Sequence, residues 1–104
     1  MLVSSKKFSK GDVVTMKLVN GDEIVTEIIS DNGLSYNIRR PHTVIPSPKG
    51  MGLMQSMFTS DPDKEIELNK QHVMMAADSV DEMVKHYIQT TTGIQPITNG
   101  GIIS

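Results

Sequence analysis

The sequence predicts a mainly β protein, a five-stranded and strongly bent antiparallel sheet followed by one C-terminal α-helix. Short segments alternate between apolar and polar residues, glycine-containing turns separate them, and apolar residues recur at helical spacing after residue 79. At 104 residues the chain fits one domain, since domains commonly have about 100–150 residues. We expect an N-terminal arm over 1–11, a single domain over 12–92 and a flexible tail over 93–104.

Strands 1 and 2 are predicted to form a hairpin. Strand 1 covers 13–19, and Val14, Met16 and Leu18 share one of its faces. The dipeptide Asn20-Gly21 favours a type I′ turn, in which both central residues take positive φ. Strand 2 then covers 23–30 and carries apolar residues on both faces, so we expect both faces to be covered.

Strand 3 is predicted after the turn Asp31-Asn32-Gly33 and extends to about Arg39, with polar and apolar residues alternating. Pro41 has no backbone N–H to donate to a neighbouring strand, so the sheet should bend or pause there. Residues 47–64 are rich in methionine and glycine and are expected to form an insertion.

The last two strands are predicted at 65–69 and 72–77, joined tightly at Lys70-Gln71 into a compact hairpin. A helix follows over 79–92. Ser79 and Glu82 have the spacing of a capping box, and Gly93 is typical of a residue that closes a helix.

Composition excludes several classes of protein. The formal net charge is −2 and the pI is about 5.8, so no overall attraction to nucleic acid or to an anionic membrane is expected. There is no cysteine, which excludes disulfides and thiolate metal sites. No stretch approaches the roughly 18–20 apolar residues needed to span a bilayer. These features favour a cytoplasmic protein.

The sequence carries no catalytic signature. His42, His72 and His86 lack the close spacing of a metal site, and the glycines of 50–52 do not follow a strand that leads into a helix, as a phosphate-binding loop requires. We therefore expect no enzymatic activity, no cofactor and no metal.

Two segments carry a resemblance to a known family. The first is VTMKLVNGDEIVTEIISDNGLSYNI, residues 14–38, and the second is IELNKQHVMM, residues 66–75. They resemble the two motifs of the Sm-like (LSm) small barrels. The methionine- and glycine-rich insertion, the segment LNK and the ending YIQTTTGI are more closely similar to uncharacterised Sm-like proteins of marine T4-like phages. That resemblance implies the cytoplasm of a host cell as the location.

The chain departs from the family pattern at three places. Thr26 occupies the position where strand 2 usually has a glycine that lets it bend. Asn69-Lys70 replaces the Arg-Gly pair that lines the RNA pore, although Lys70 and His72 are similar to the Lys-His pair with which bacterial host-factor members contact uridine. The family helix usually precedes strand 1, whereas the helix predicted here follows strand 5.

The resemblance implies a ring-forming homo-oligomer that binds single-stranded RNA through the loops after strands 2 and 4. Such a site needs phosphate donors, amides for base edges and a flat face for stacking. The alternative is that Tyr36 belongs to the core and the polar residues are solvated. The candidates for RNA binding are Asn32, Tyr36, Asn37, Arg39, Arg40, Lys70, Gln71 and His72, and those for the oligomer interface are Val25, Ile29, Val73, Met74 and Met75.

A second hypothesis is a noncatalytic oligomeric adaptor or structural protein of a phage particle or host-takeover complex. Methionine is flexible and polarisable, and methionine-rich segments suit adaptable surfaces for protein partners. Here Met51, Met54, Met57 and Phe58 in the insertion are the candidate contacts. The insertion either faces a partner or folds back as a lid over its own barrel.

Overall fold

The protein is an antiparallel sheet with one C-terminal α-helix, which confirms the predicted mainly β class. The computed structural model describes residues 7–93, and the first six residues of the predicted arm and positions 94–104 of the predicted tail lie outside that range. The elements in chain order are β1 (Val13–Leu18), β2 (Glu23–Asp31), β3 (Ser35–Ser47), β4 (Gly50–Gln55), β5 (Ile66–Asn69), a 3₁₀ turn (Lys70–His72), β6 (Val73–Asp78) and α1 (Asp81–Thr92).

The strand order is β4-β3-β2-β1-β6, and β5 also pairs with β3. The 13-residue strand β3 has two partners on the same side because its first part, 35–38, pairs with β5 and its second part, 42–47, pairs with β4. The two halves of the long strand therefore have different partners within one six-stranded sheet, and the register shift near residue 40 separates them.

The predicted compact hairpin of the last two strands is wrong. β5 pairs with β3, whereas β6 pairs with β1 at the other end of the strand order. The connection is a 3₁₀ turn in which the Asn69 side chain accepts a hydrogen bond from the Gln71 N–H at 2.9 Å. The turn carries the chain from one edge of the sheet to the other instead of reversing it locally.

The hairpin of β1 and β2 forms as predicted, but its turn type differs. Gly21 has φ 96°, while Asn20 does not take a positive φ, so the turn is not type I′. The Gly21 N–H donates to the Leu18 carbonyl at 2.9 Å, and the Leu18 N–H donates to the Asp22 carbonyl at 2.8 Å. These bonds close a longer loop in which only the glycine needs the left-handed conformation.

The main core lies on one face of the sheet, where the apolar positions predicted for β1 and β2 meet those of β3. Phe8 is also buried in it, so the predicted arm contributes to the domain core. The buried members are Phe8, Val14, Met16, Ile24, Ile28, Tyr36 and Ile38.

The opposite face of β2 is also covered, as its sequence predicts. Val25 and Thr26 are completely buried although they are neighbours on one strand. Tyr87 of α1 reaches this strand, since its hydroxyl accepts a hydrogen bond from the Glu27 N–H at 3.1 Å. The helix therefore packs against the middle of the sheet.

β3 bends through a bulge rather than through a glycine in β2. Val25 pairs with His42 and Glu27 pairs with Arg39, so Arg40 and Pro41 together lie opposite Thr26. The Thr26 hydroxyl donates to the Arg39 carbonyl at 2.9 Å. The buried Thr26 thus holds the bulge of the next strand.

The helix begins later than predicted and without the capping box. It starts at Asp81, its N-cap residue Val80 has no side-chain hydrogen bond, and the Ser79 hydroxyl lies 2.7 Å from the Thr15 hydroxyl on β1. The capping prediction is wrong because this serine bonds to the sheet. The predicted end is confirmed, since the helix stops at Thr92 and Gly93 has φ 74°.

The insertion over 47–64 contains an additional strand, β4, that the sequence did not predict. This strand forms a hairpin with β3, and Gly50 at its start has φ 119°. No residue of the insertion belongs to the main core cluster, so β4 widens the sheet and does not fold over that core as a lid.

Within residues 7–93, no helix has the length and apolar character required to cross a bilayer.

Candidate nucleic-acid interface

Two loops that are distant in sequence meet at one end of the sheet. One is the β2–β3 turn over 32–34, and the other is the 3₁₀ turn over 70–72. The Lys70 N–H donates to the Leu34 carbonyl at 3.0 Å, and the Lys70 ammonium lies 2.7 Å from the Asp31 carboxylate. We call this surface the paired-loop surface. It contains five of the predicted RNA-binding residues, namely Asn32, Asn37, Lys70, Gln71 and His72.

Lys70 is the central cation of the paired-loop surface. Its ammonium donates to Asp31 and lies 4.6 Å from the centre of the Tyr36 ring, a distance at which a cation is attracted to an aromatic face. The hydrogen bond from Lys70 lowers the pKa of Asp31, and the backbone N–H of Gly33 adds to this effect. The lysine side chain is still 31% exposed, so it can exchange part of its contact with Asp31 for a phosphate.

Tyr36 belongs to the core, as the alternative interpretation of its sequence position proposed. It is 9% exposed and its ring centre lies 6.3 Å from that of Phe8. Because Lys70 lies over its ring, Tyr36 offers no open face on which a base could stack. Its part in the paired-loop surface is to support Lys70.

Asn32 and Asn37 form a chain of side-chain hydrogen bonds. The Ser30 hydroxyl donates to Asn32 at 3.1 Å, the Asn32 amide donates to Asn37 at 3.0 Å, and the Asn37 amide donates to Glu65 at 2.9 Å. These bonds fix the orientation of both amides. Each amide nitrogen carries two protons, so one N–H of each asparagine is left for the edge of a base.

Gln71 and His72 project from the 3₁₀ turn as exposed side chains. The backbone beneath them is fixed, because the Val19 N–H donates to the His72 carbonyl at 2.9 Å. The paired-loop surface thus combines two oriented amides, two exposed polar side chains and one lysine on a rigid frame.

Arg39 and Arg40 lie at the bulge of β3 and do not form one phosphate-binding patch with each other. Arg40 pairs with Asp63 at 2.8 Å, and this hydrogen bond raises the pKa of its guanidinium. The Nε of Arg39 is buried and has no hydrogen-bond partner among residues 7–93. The two side chains therefore occupy different surroundings.

The predicted interface residues differ widely in accessibility. Val25 is completely buried within one chain, Ile29 is half-buried, and Val73 packs against the main core. Met74 and Met75 are 60% and 63% exposed on β6. In the part of the chain that is described, β6 pairs only with β1, so its outer edge is open.

Sequence reasoning missed the role of Tyr87. Its helical spacing correctly indicated a residue on the buried face of α1, but its hydroxyl also donates to the carbonyls of Arg39 and Arg40, each at 2.9 Å. No sequence pattern pairs a helix tyrosine with a bulge about 47 residues earlier.

Comparison with known proteins found no protein-family model and no curated protein that matches this chain.

Proposed function

We propose that this chain is a noncatalytic, Sm-like homo-oligomer that closes into a ring and binds single-stranded RNA at the paired-loop surface. The observation that carries the proposal is the contact of the β2–β3 turn with the 3₁₀ turn through Lys70. In the Sm-like family, which the sequence resembles, the loops at these two positions bind RNA.

The strand pairing supports the family assignment. Leaving out β4, the strands pair in the order β5-β3-β2-β1-β6, with a long bent β3, and a short turn connects the two outer strands. The sequence-adjacent outer strands β5 and β6 lie at opposite ends of this order. A strongly bent sheet brings such ends toward each other, which is the geometry of a small barrel.

Self-association is supported by the open edge of β6. Its residues Met74 to Asp78 are all exposed in one chain, and four of these five are apolar. An exposed apolar edge strand readily pairs with another chain. Pairing of β6 with β5 of the next copy would cover both edges and place the paired-loop surfaces around a common axis.

Charge indicates how RNA would be recognised. Asp31 and Glu65 both lie at the paired-loop surface, where Lys70 is bound to Asp31 and the charge of Lys7 also acts on Asp31. Binding would therefore depend more on base edges and amides than on phosphates. For single strands the salt slope is about 0.7 per phosphate contact, so we expect a shallow dependence on salt.

Changing Lys70 to methionine should weaken binding of short U-rich or A-rich RNA roughly ten- to a hundredfold at low salt, because a charged hydrogen bond contributes about 1.5–3 kcal/mol. Methionine keeps the apolar stem over Tyr36. Fluorescence anisotropy at two salt concentrations measures the affinity, and a thermal melt verifies that each variant is folded.

Lys49→Met is the matched control, because Lys49 is exposed in the β3–β4 turn and lies outside the paired-loop surface. It should bind RNA like the unchanged protein, and Lys70→Arg should recover most of the affinity. Absence of RNA binding at low salt, or equal losses in Lys70→Met and Lys49→Met, would contradict the proposed site.

Changing Met74 to aspartate should dissociate the oligomer, because each copy would place a charge at the β6 edge. Light scattering should give a multiple of the 11.4 kDa chain mass for the unchanged protein and one chain mass for Met74→Asp. Met54→Asp, which makes the same change on β4, should remain assembled. A strictly monomeric unchanged protein would refute the ring.

A noncatalytic adaptor or structural role is the second candidate, favoured by the exposure of the insertion. Met51 is 65% exposed and Phe58 is 69% exposed, and neither is needed for the main core. If the protein assembles through β6 but binds neither the U-rich nor the A-rich RNA, that result would favour the adaptor or structural role.

A further inference from the structure

A pocket of about 180 Å³ lies beside the bulge of β3, away from the residues of the paired-loop surface. Its walls come from the bulge, from the connection between β4 and β5, and from the last turns of α1. An engineered protein cavity of about 150 Å³ is large enough to take up benzene. This pocket is therefore of a size that suits a small organic molecule.

Arg40 provides the charge of the pocket and has an unusual backbone. Its φ is 54°, which makes it the one non-glycine residue with positive φ in the described part of the chain. That conformation is costly for a residue with a side chain and persists only where the surroundings enforce it.

Several hydrogen bonds enforce the conformation of Arg40. Its carbonyl accepts from the Tyr87 hydroxyl at 2.9 Å and lies 2.9 Å from Nδ1 of His42. The preceding carbonyl, that of Arg39, accepts from Thr26 and Tyr87. Because a carbonyl oxygen only accepts, Nδ1 of His42 carries the proton. The chain thus uses four side-chain contacts to hold a strained arginine at the wall of a pocket.

The lining of the pocket matches an anion. It contains no carboxylate and one guanidinium, together with the Ser60 and Thr90 hydroxyls and the Gln55 amide as hydrogen-bond donors, whereas the Thr91 hydroxyl already donates to the Tyr87 carbonyl. The polar lining residues are Arg40, His42, Gln55, Ser60, Thr90 and Thr91. Met57 and Ile66 form an apolar part of the pocket wall. A pocket with such a lining suits a molecule that has an apolar body and one charged group.

Asp63 shows that the guanidinium of Arg40 already binds a carboxylate. Its Oδ1 lies 2.8 Å from the Arg40 guanidinium, and its side chain is 75% exposed and outside the pocket lining. The arginine side chain is 26% exposed, but an ion pair whose carboxylate lies largely in water is weak. An incoming oxyanion can displace it at little cost, and arginine binds carboxylate and phosphate with the same planar geometry.

We propose that this pocket is a binding site for a small organic oxyanion, a phosphate monoester or a carboxylate with a body about the size of one ring. Arg40 pairs with the charged group in place of Asp63, and Met57 and Ile66 contact the apolar body. The site shares no residue with the paired-loop surface, so its occupancy can be tested apart from RNA binding.

The test is an NMR titration of the full chain with phenyl phosphate, benzoate and benzamide, the last being the neutral analogue of benzoate. We expect saturable shifts at the backbone amides of Gln55, Ser60, Thr90 and Thr91 with at least one of the two anions, and a much weaker response to benzamide. Preference for phenyl phosphate would identify a phosphate monoester, and preference for benzoate a carboxylate.

Two substitutions should change the affinity in opposite directions. Arg40→Gly removes the guanidinium while its backbone accepts positive φ without strain, and it should weaken anion binding roughly ten- to a hundredfold, the range for a charged hydrogen bond. Asp63→Asn removes the competing carboxylate and should tighten binding. Lys49→Gln, which removes a positive charge outside the pocket, should leave the affinity unchanged.

The proposal is overturned if neither anion gives saturable shifts at the pocket, if benzamide binds as tightly as benzoate, or if folded Arg40→Gly binds like the unchanged protein. A thermal melt of Arg40→Gly establishes that the fold is intact. Failure of this test leaves RNA binding at the paired-loop surface untouched, because Lys70→Met tests that function separately.

Discussion

Replacing Tyr87 with phenylalanine is expected to lower the free energy of unfolding by about 1–3 kcal/mol. The change deletes one oxygen atom from a side chain that is 3% exposed. That oxygen accepts from the Glu27 N–H and shares its one proton between two carbonyls at the bulge. A buried backbone group left without a partner costs roughly 1–3 kcal/mol. The Glu27 N–H is the group that loses its side-chain partner, because the Arg39 carbonyl keeps the hydrogen bond from Thr26 and the Arg40 carbonyl keeps the one from His42.

Tyr36→Phe is the matched control for this prediction. Tyr36 is also nearly buried, but the structure gives its hydroxyl no hydrogen bond within residues 7–93, so its loss should change stability by less than about 1 kcal/mol. Urea unfolding of both variants measures the difference. Equal stabilities of the Tyr87 and Tyr36 variants would show that the helix does not hold the bulge.

The hydroxyl of Tyr87 also makes the stability of the protein depend on pH, and the direction of the change follows from its pKa. Burial raises the pKa of Tyr87 from 10.0 to about 12. Because the folded value lies above the unfolded one, the stabilisation is complete below pH 10 and is lost as the pH rises toward 12. The stability difference between the unchanged protein and Tyr87→Phe should therefore shrink by about 1 kcal/mol between pH 8 and pH 11. A constant difference would contradict the burial of a neutral hydroxyl.

Replacing Ile28 with alanine is expected to destabilise the protein by about 2–5 kcal/mol, the range for a large apolar residue truncated in a packed core. Ile28 is completely buried in the main core cluster. For a domain whose total stability is roughly 5–15 kcal/mol, this loss is a large fraction.

Its neighbour Ile29 provides the control, because it lies at the register shift between Ile28 and Ser30 and is not part of the main core cluster. Ile29 is only half-buried, so Ile29→Ala should cost about 1 kcal/mol or less. Chemical denaturation of both variants measures the two costs. If Ile29→Ala is the more destabilising of the two, the assignment of the β2 faces is wrong.

Local patterns were sufficient to predict the elements that local interactions determine. Val14, Met16, Ile24 and Ile28 are buried where the alternation places them, and Gly93 closes the helix at the predicted position. The resemblance to Sm-like proteins pointed to two loops, which the structure brings into contact through Lys70, while RNA binding by them stays a prediction.

Long-range interactions explain the parts that were missed. Ser79 has the sequence of a helix cap, but a hydroxyl 64 residues earlier, on Thr15, is its partner. The prediction of a compact hairpin was wrong because β5 pairs with β3 and β6 pairs with β1, both of which come much earlier in the chain. The strand β4 was missed because glycine and methionine have weak strand preferences, whereas pairing with β3 stabilises it in the fold.

The position of α1 at the end of the described chain affects the order in which the protein folds. Strands β1 to β4 pair between neighbours in sequence, but β6 must return to β1, with Val14 opposite Asp78. The Tyr87 hydroxyl then donates a hydrogen bond to the carbonyl of Arg40 in the bulge, which lies 47 residues earlier in the chain. Contacts between residues that are far apart in the sequence slow folding. During synthesis on the ribosome, β1 therefore lacks its partner β6, and the bulge lacks its hydrogen bond from Tyr87, until residues 73–87 have emerged.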